Sequence, residues 1–237
     1  MAKQHRVIES RSRTWKASLI IFYIKHIFRR RAFGDSGRYA RTNDANRVPR
    51  KIAHDYSIES FKLNDYQLHT MAPIDGPKRN KHVVFLHGGA YVMQATSFHW
   101  QFLASLVDET EGRVTFVQYP LAPECNHANT LEHMVAVTSK IREQFPDDAL
   151  VLAGDSAGGG LAIATVQELQ ARQLQQPYVK LALISPWLDV TSLDRLSSEQ
   201  KAKEAVMQIE SLKTAAKHYA GQDNVAHRHV SPLKGGF

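Results

Sequence analysis

The chain has 237 residues, of which 43% are hydrophobic and 22% charged, and it contains one cysteine, Cys125. That balance suits a single globular domain with ample core and excludes an internal disulfide framework, in keeping with a reducing compartment. The net charge of +7 is uneven: residues 1–51 hold 14 Lys or Arg against 3 Asp or Glu, while the remaining 186 hold 16 against 20. A mildly acidic body therefore follows a strongly basic arm, and the division places an N-terminal arm at 1–51 and a core at 52–237.

Within the arm, Trp15 to Phe28 is apolar and is flanked by Arg11, Arg13 and the run Arg29 to Arg31. Its longest uncharged run, Ala17 to Ile24, is 8 residues, too short to span a bilayer. No small-residue cleavage site follows, which argues against a signal peptide. Ala53 to Phe61 and Tyr66 to Met71 read as a hairpin, with Lys62 to Asp65 as its turn. Val83 to Leu86 is a short buried strand that runs into His87-Gly88-Gly89-Ala90. The small residues there let backbone N–H groups approach a ligand oxygen, as an oxyanion hole requires. His87, at the strand exit, is expected to orient this loop.

A helix is predicted across Phe98 to Glu109, where His99 and Trp100 read first as a helix start with one buried aromatic and alternatively as pocket-lining residues, and a strand is predicted across Val114 to Tyr119. Cys125 and His127 have no further ligands at metal spacing, so Cys125 reads as a turn residue and no metal is expected. Thr130 to Gln144 is helical and Pro146-Asp147-Asp148 ends it. Ala149 to Ala153 is then an apolar strand, followed by Gly154-Asp-Ser156-Ala-Gly158 and a helix-forming stretch from Leu161 to Gln170. This is the strand–turn–helix setting of a nucleophile elbow, in which a tight turn exposes the Ser156 hydroxyl. Val179 to Ile184 is a further strand, and Ser197 to Tyr219 is a charged helical stretch. Strands alternating with helices predict an α/β architecture, a mostly parallel sheet covered on both faces. His87, Ser156 and Asp189 all fall at strand C-terminal ends, on one edge of that sheet.

His87-Gly-Gly and Gly154-Asp-Ser-Ala-Gly-Gly159, together with Gln118-Tyr-Pro-Leu-Ala-Pro-Glu124 and Ser185-Pro-Trp-Leu-Asp189, resemble the motifs of the hormone-sensitive-lipase-like family of α/β-hydrolase esterases. The resemblance covers roughly residues 55–233. Ala90 replaces the family's third glycine, tolerable where that backbone has negative φ, and Leu121 replaces an arginine. The resemblance implies the α/β-hydrolase fold and hydrolysis of short- to medium-chain carboxylic esters through an acyl-serine intermediate. Ser156 would be the nucleophile, the N–H groups of Gly88, Gly89 or Ala90 with Ala157 would bind the oxyanion, and Asp155 would support the elbow. No nucleotide, flavin or metal is implied.

Such a serine needs a base and a carboxylate, in the chain order Ser, Asp or Glu, His. The resembling family carries these after its seventh and eighth strands. Only one strand is predicted after the elbow here, so the chain reads as truncated at its C-terminus. The order Ser156, Asp189, His227 or His229 is formally available, although Asp189 reads first as a cap opening Val190-Thr-Ser. A catalytically incomplete hydrolase acting as a binding module is therefore the alternative. The arm fits a cap helix over the acyl pocket, as N-terminal segments form in the resembling family. It also fits a helix on an anionic membrane surface, with residues 1–31 in contact. Nucleic acid is not expected, because aromatic–basic interleaving is lacking. The expected location is cytoplasmic, peripheral at the inner membrane face where the arm engages it.

Overall fold

Val83-Val-Phe-Leu86 and Leu150-Val-Leu-Ala153 are apolar without alternation, the pattern of strands covered on both sides, and they lie side by side in the sheet. The computed structural model describes residues 47–199 and 209–235; the basic arm up to residue 46, with its cap and membrane readings, lies outside them. Six strands, β1 (Tyr56–Leu63), β2 (Tyr66–Pro73), β3 (Lys81–Leu86), β4 (Arg113–Val117), β5 (Ala149–Asp155) and β6 (Tyr178–Ile184), form one sheet in the order β1-β2-β4-β3-β5-β6. β1, β2 and β4 pair antiparallel, whereas β4, β3, β5 and β6 run parallel. The α/β architecture expected from the sequence is thus observed.

Among the described residues five helices flank it: α1 (Arg50–Asp55), α2 (Ser97–Thr110), α3 (His127–Gln144), α4 (Ala157–Ala171) and α5 (Ile209–Ala220). Successive side chains of a strand point to opposite faces, and the core divides accordingly. Val83 and Phe85 of β3 join Trp100, Leu103 and Val107 of α2 on one face. Val84 and Leu86 join Leu131, Met134 and Val137 of α3, Leu161 of α4 and Tyr219 of α5 on the other. At the sheet end remote from the elbow, Arg113 donates two hydrogen bonds to Asp148, at 2.9 and 2.8 Å, and His82 Nδ1 lies 3.2 Å from the same carboxylate. β3, β4 and the start of β5 are thereby tied together.

Four expectations about element bounds are corrected. Ala53 to Asp55 belong to α1, not to β1; Ile52 is buried against the α2 layer and Lys51 closes the turn on Asp55 at 2.6 Å. The hairpin turn is narrower than Lys62 to Asp65, since Leu63 pairs with Tyr66 and Asn64 adopts a φ of 54°. β4 ends at Val117, before Gln118 and Tyr119. Helix α3 starts three residues early because the Asn126 side chain accepts from the N–H groups of Ala128 and Asn129, at 3.0 and 3.3 Å. β6 is an edge of the described sheet, and its Val179, Leu181 and Ile184 are exposed.

Candidate active site

Between β5 and α4 the chain reverses in one residue. Ser156 has φ 50° and ψ −118°, a conformation that side-chain-bearing residues rarely adopt. It is pinned from both sides: its N–H donates to Ile184 O at 2.9 Å, and its carbonyl accepts from Trp187 N–H at 2.8 Å and Gly160 N–H at 3.1 Å. A Cβ at Gly154 would lie 2.5 Å from the Gly158 carbonyl, and one at Gly158 would run into Leu86 O. Gly154 therefore lets β5 and α4 close, and Gly158 lets α4 approach the end of β3, to distances no side chain permits.

The loop after β3 carries three consecutive residues of positive φ: Gly89 at 137°, Ala90 at 52° and Tyr91 at 64°. Ala90 thus does not meet the negative-φ condition and holds a left-handed conformation. What holds it there is Tyr91, fully buried with its ring stacked on Tyr219 at 3.8 Å, while Val92 and Met93 N–H both donate to Gly89 O. Gly88, expected among the oxyanion donors, has its N–H committed to Asp155 Oδ1 at 2.7 Å. A Cβ on Gly88 would meet that same carboxylate. The N–H groups of Gly89, Ala90 and Ala157 make no hydrogen bond among the described residues.

His87 is buried, with its ring stacked on Tyr119 at 4.5 Å and Nδ1 2.7 Å from Gly88 O. Tyr119 in turn donates its hydroxyl to His87 O at 2.5 Å. Burial pushes the His87 pKa down to about 4, so the ring is neutral at pH 7. It braces the loop. His99, read from the sequence as a helix-start residue, does more. Thr96 N–H donates to its Nδ1 at 2.9 Å, which leaves the ring proton on Nε2, 3.4 Å from Asp155 Oδ1. Although burial alone would raise the Asp155 pKa, the His99 and Gly88 donors outweigh it and hold the carboxyl below its usual range. His99, Asp155 and Gly88 therefore form one charged tie from α2 through the elbow to the loop. Its only local signal was Thr96-x-x-His99, a capping-box spacing with histidine in the reciprocal position.

The remaining candidates are not brought to Ser156. Asp189 caps a 3-10 turn (Val190–Arg195): its carboxylate accepts from Thr191 N–H at 2.9 Å, from the Thr191 hydroxyl, and from Arg195 at 2.7 Å, with Lys234 at 3.5 Å. His227 and His229 instead gather around His127, with ring centroids at 4.7 and 5.6 Å from it. The acid-and-base pairing of Asp189 with either histidine is therefore not assembled, because each group is held by other partners. Among the described residues, none hydrogen-bonds the Ser156 hydroxyl. A cavity of about 130 Å³ borders His87 and Tyr119, with Leu121 and Cys125 in its wall; Ser156 does not line it.

A known family, described as having an alpha/beta hydrolase fold, matches residues 83–236, the span that holds the Ser156 turn and the loop after β3. The chain belongs to the α/β-hydrolase fold family. Among relatives of this α/β hydrolase, an acetyl-hydrolase of Streptomyces hygroscopicus is 29% identical over 204 residues, covering 82% of this chain and 68% of that protein. An esterase of Acinetobacter venetianus is 32% identical over 157 residues, covering 64% of this chain and 50% of that protein. A solved hormone-sensitive lipase from a metagenome library superposes with a TM-score of 0.68 at 26% identity, covering 80% of this chain and 64% of that one. An esterase/lipase from an uncultured bacterium gives 0.69 at 25% identity, covering 90% and 73%. The resemblance to hormone-sensitive-lipase-like esterases holds, and this chain spans half to about seven-tenths of the length of these four proteins.

Proposed function

We propose that this α/β hydrolase cleaves short- to medium-chain carboxylic esters through an acyl-serine intermediate. The observation that carries the reading is the Ser156 backbone, held at φ 50° at the start of α4, next to a loop whose Gly89 and Ala90 N–H groups are unclaimed. In the reaction, the Ser156 oxygen attacks the ester carbonyl, the alcohol departs with the serine's proton, and water then releases the acid and restores the hydroxyl. Gly89, Ala90 and Ala157 would donate to the oxyanion. One such donor typically contributes about 3 kcal/mol in the transition state. The names of the relatives, an acetyl-hydrolase and an esterase, support the substrate class.

A second reading is favoured by one feature of the geometry: neither Asp189 nor His227 nor His229 reaches Ser156. It is a hydrolase body that binds an ester without turning it over. Hydrolysis of p-nitrophenyl butyrate by the 237-residue chain, beside Ser156→Ala, separates the two. The first reading expects turnover that falls at least about 10³-fold in the variant. A folded chain that shows no turnover supports the second, and turnover unchanged in the variant sinks the first.

For the basic arm, we infer a peripheral contact of residues 1–31 with an anionic membrane surface. Its support is the apolar stretch Trp15 to Phe28 set between arginines. No helix among the described residues is long and apolar enough to cross a membrane. Removal of residues 1–31 should abolish flotation with phosphatidylserine vesicles, and unchanged flotation would refute the contact.

A further inference from the structure

The first residue of α3 and the connector after α5 bring three imidazoles together from positions about 100 residues apart. His127 is buried, while His227 and His229 are half-buried; their ring centroids lie 4.7, 5.6 and 4.8 Å apart. One ligand nitrogen from each lies within 4.8 Å of the other two. The connector that presents the His-x-His pair is a tightly bonded turn. Asn224 O accepts from His227 N–H at 2.8 Å, and His227 O accepts from Val230 and Ser231 N–H at 2.9 and 2.8 Å.

Carboxylates stand behind two of the rings. His127 Nε2 is 2.7 Å from Asp223 Oδ2, and His229 Nε2 is 2.9 Å from Glu168 Oε2, off the line of a hydrogen bond. His227 Nδ1 accepts from His229 N–H at 3.3 Å. His127 Nδ1 is buried without a hydrogen-bond partner. Buried polar atoms are normally satisfied, and this unpartnered nitrogen belongs to a ring whose centroid lies 4.7 and 5.6 Å from those of two further imidazoles. Imidazoles backed by carboxylates are the outer-shell arrangement that orients metal ligands.

We propose that His127, His227 and His229 bind a borderline divalent transition-metal ion, with Zn²⁺ foremost, as a clamp that ties the connector to the start of α3. Nitrogen donors of this kind suit Zn²⁺, Ni²⁺ or Cu²⁺ and not Mg²⁺ or Ca²⁺. Zn²⁺ is readily four-coordinate and tetrahedral, so a trio of nitrogens with water as the fourth ligand satisfies it. With Zn–N bonds of about 2.1 Å the nitrogens would approach to about 3.4 Å, a contraction within the reach of side-chain rotation. Binding at this site requires nothing of Ser156 and stands apart from the esterase reading. The sequence reading passed over the site because His127 had only Cys125 beside it; its ligands come from the far end of the chain.

The test is titration of the chelator-stripped, full 237-residue chain with Zn²⁺ by calorimetry, and with Co²⁺ followed by visible absorption. One equivalent should bind with a Kd on the order of micromolar or tighter. His227→Asn combined with His229→Asn should weaken it by roughly 100-fold, and Asp223→Asn by roughly tenfold. Circular dichroism checks that the variants fold; were the double variant to unfold, the single His227→Asn and the exposed Asp223→Asn carry the comparison. No saturable uptake, or uptake unchanged in the variants that fold, overturns the site whether or not the chain hydrolyses esters.

Discussion

At Ala90 the backbone is left-handed, with φ 52°, where the hormone-sensitive-lipase-like pattern has glycine. A Cβ in that region costs roughly 1–2 kcal/mol, against up to about 1 kcal/mol of extra unfolded-state entropy for glycine. The residue is tolerated because Tyr91, locked between Tyr219 and Trp187 by ring stacking, over-determines the loop. Ala90→Gly is therefore expected to stabilise the fold by about 0.5–1 kcal/mol, read as a higher urea midpoint at unchanged slope. An unchanged or lower midpoint would show that the strain is relieved in some other way. Gly88 and Asp155 give the complementary lesson. The motif marks Gly88 as a donor, yet its N–H serves the carboxylate that anchors the loop to the elbow. Which amides are left for an oxyanion is a question of pairing that the motif alone does not answer.

Among elements, α4 packs tightly against the end of β3. Gly158 sits in the first turn of α4, where an added Cβ would meet Leu86 O and lie 2.6 Å from His87 O. Those carbonyls end a central strand flanked by β4 and β5, so they cannot give way without moving the loop they lead into. Gly158→Ala should cost on the order of 2–3 kcal/mol, as overpacking does. In a domain of this size that is a Tm lower by roughly 5–10 °C; a shift under about 2 °C would mean that α4 is free to slide. Element existence was largely legible in the sequence, since uninterrupted apolar runs mark β3 and β5 and a serine between glycines marks the start of α4. The misplaced bounds have local causes. Asn126 caps α3 through its side chain, and Ile52 draws residues 50–55 into a helical turn by packing against α2.

For the molecule as a whole, stability should depend on pH through histidines buried in the neutral form. Desolvation lowers the pKa of both His87 and His133 to about 4, from an ordinary value near 6.5. The unfolded chain therefore takes up protons first as pH falls. Stability is full above about pH 6.5 and declines between there and pH 4, by on the order of 3 kcal/mol per residue at the lower end. His82 and His127 shift in the same direction, also because of burial. Urea midpoints should fall from pH 7.5 to pH 5, and His133→Gln, which can still donate to Gln118 O, should flatten the dependence. A midpoint rising over that interval would contradict the burial argument.

The sequence by itself determined where the elbow serine stands, that a mostly parallel sheet lies beneath it, and that a glycine-rich loop follows β3. These follow from local rules: a turn that only glycines permit, strands that must be apolar on both sides, and a helix that must follow. Tertiary structure alone decided that Gly88 is engaged while Gly89 and Ala90 are not, and that His99 reaches Asp155 across 56 residues. It also drew His227 and His229 to His127 instead of to Ser156, whereas the cap that Asp189 forms on Thr191 was legible in the sequence. Spacing along a chain reports only neighbours on the same element, whereas these pairings depend on the order in which β5, α3 and the connector after α5 are laid against one another.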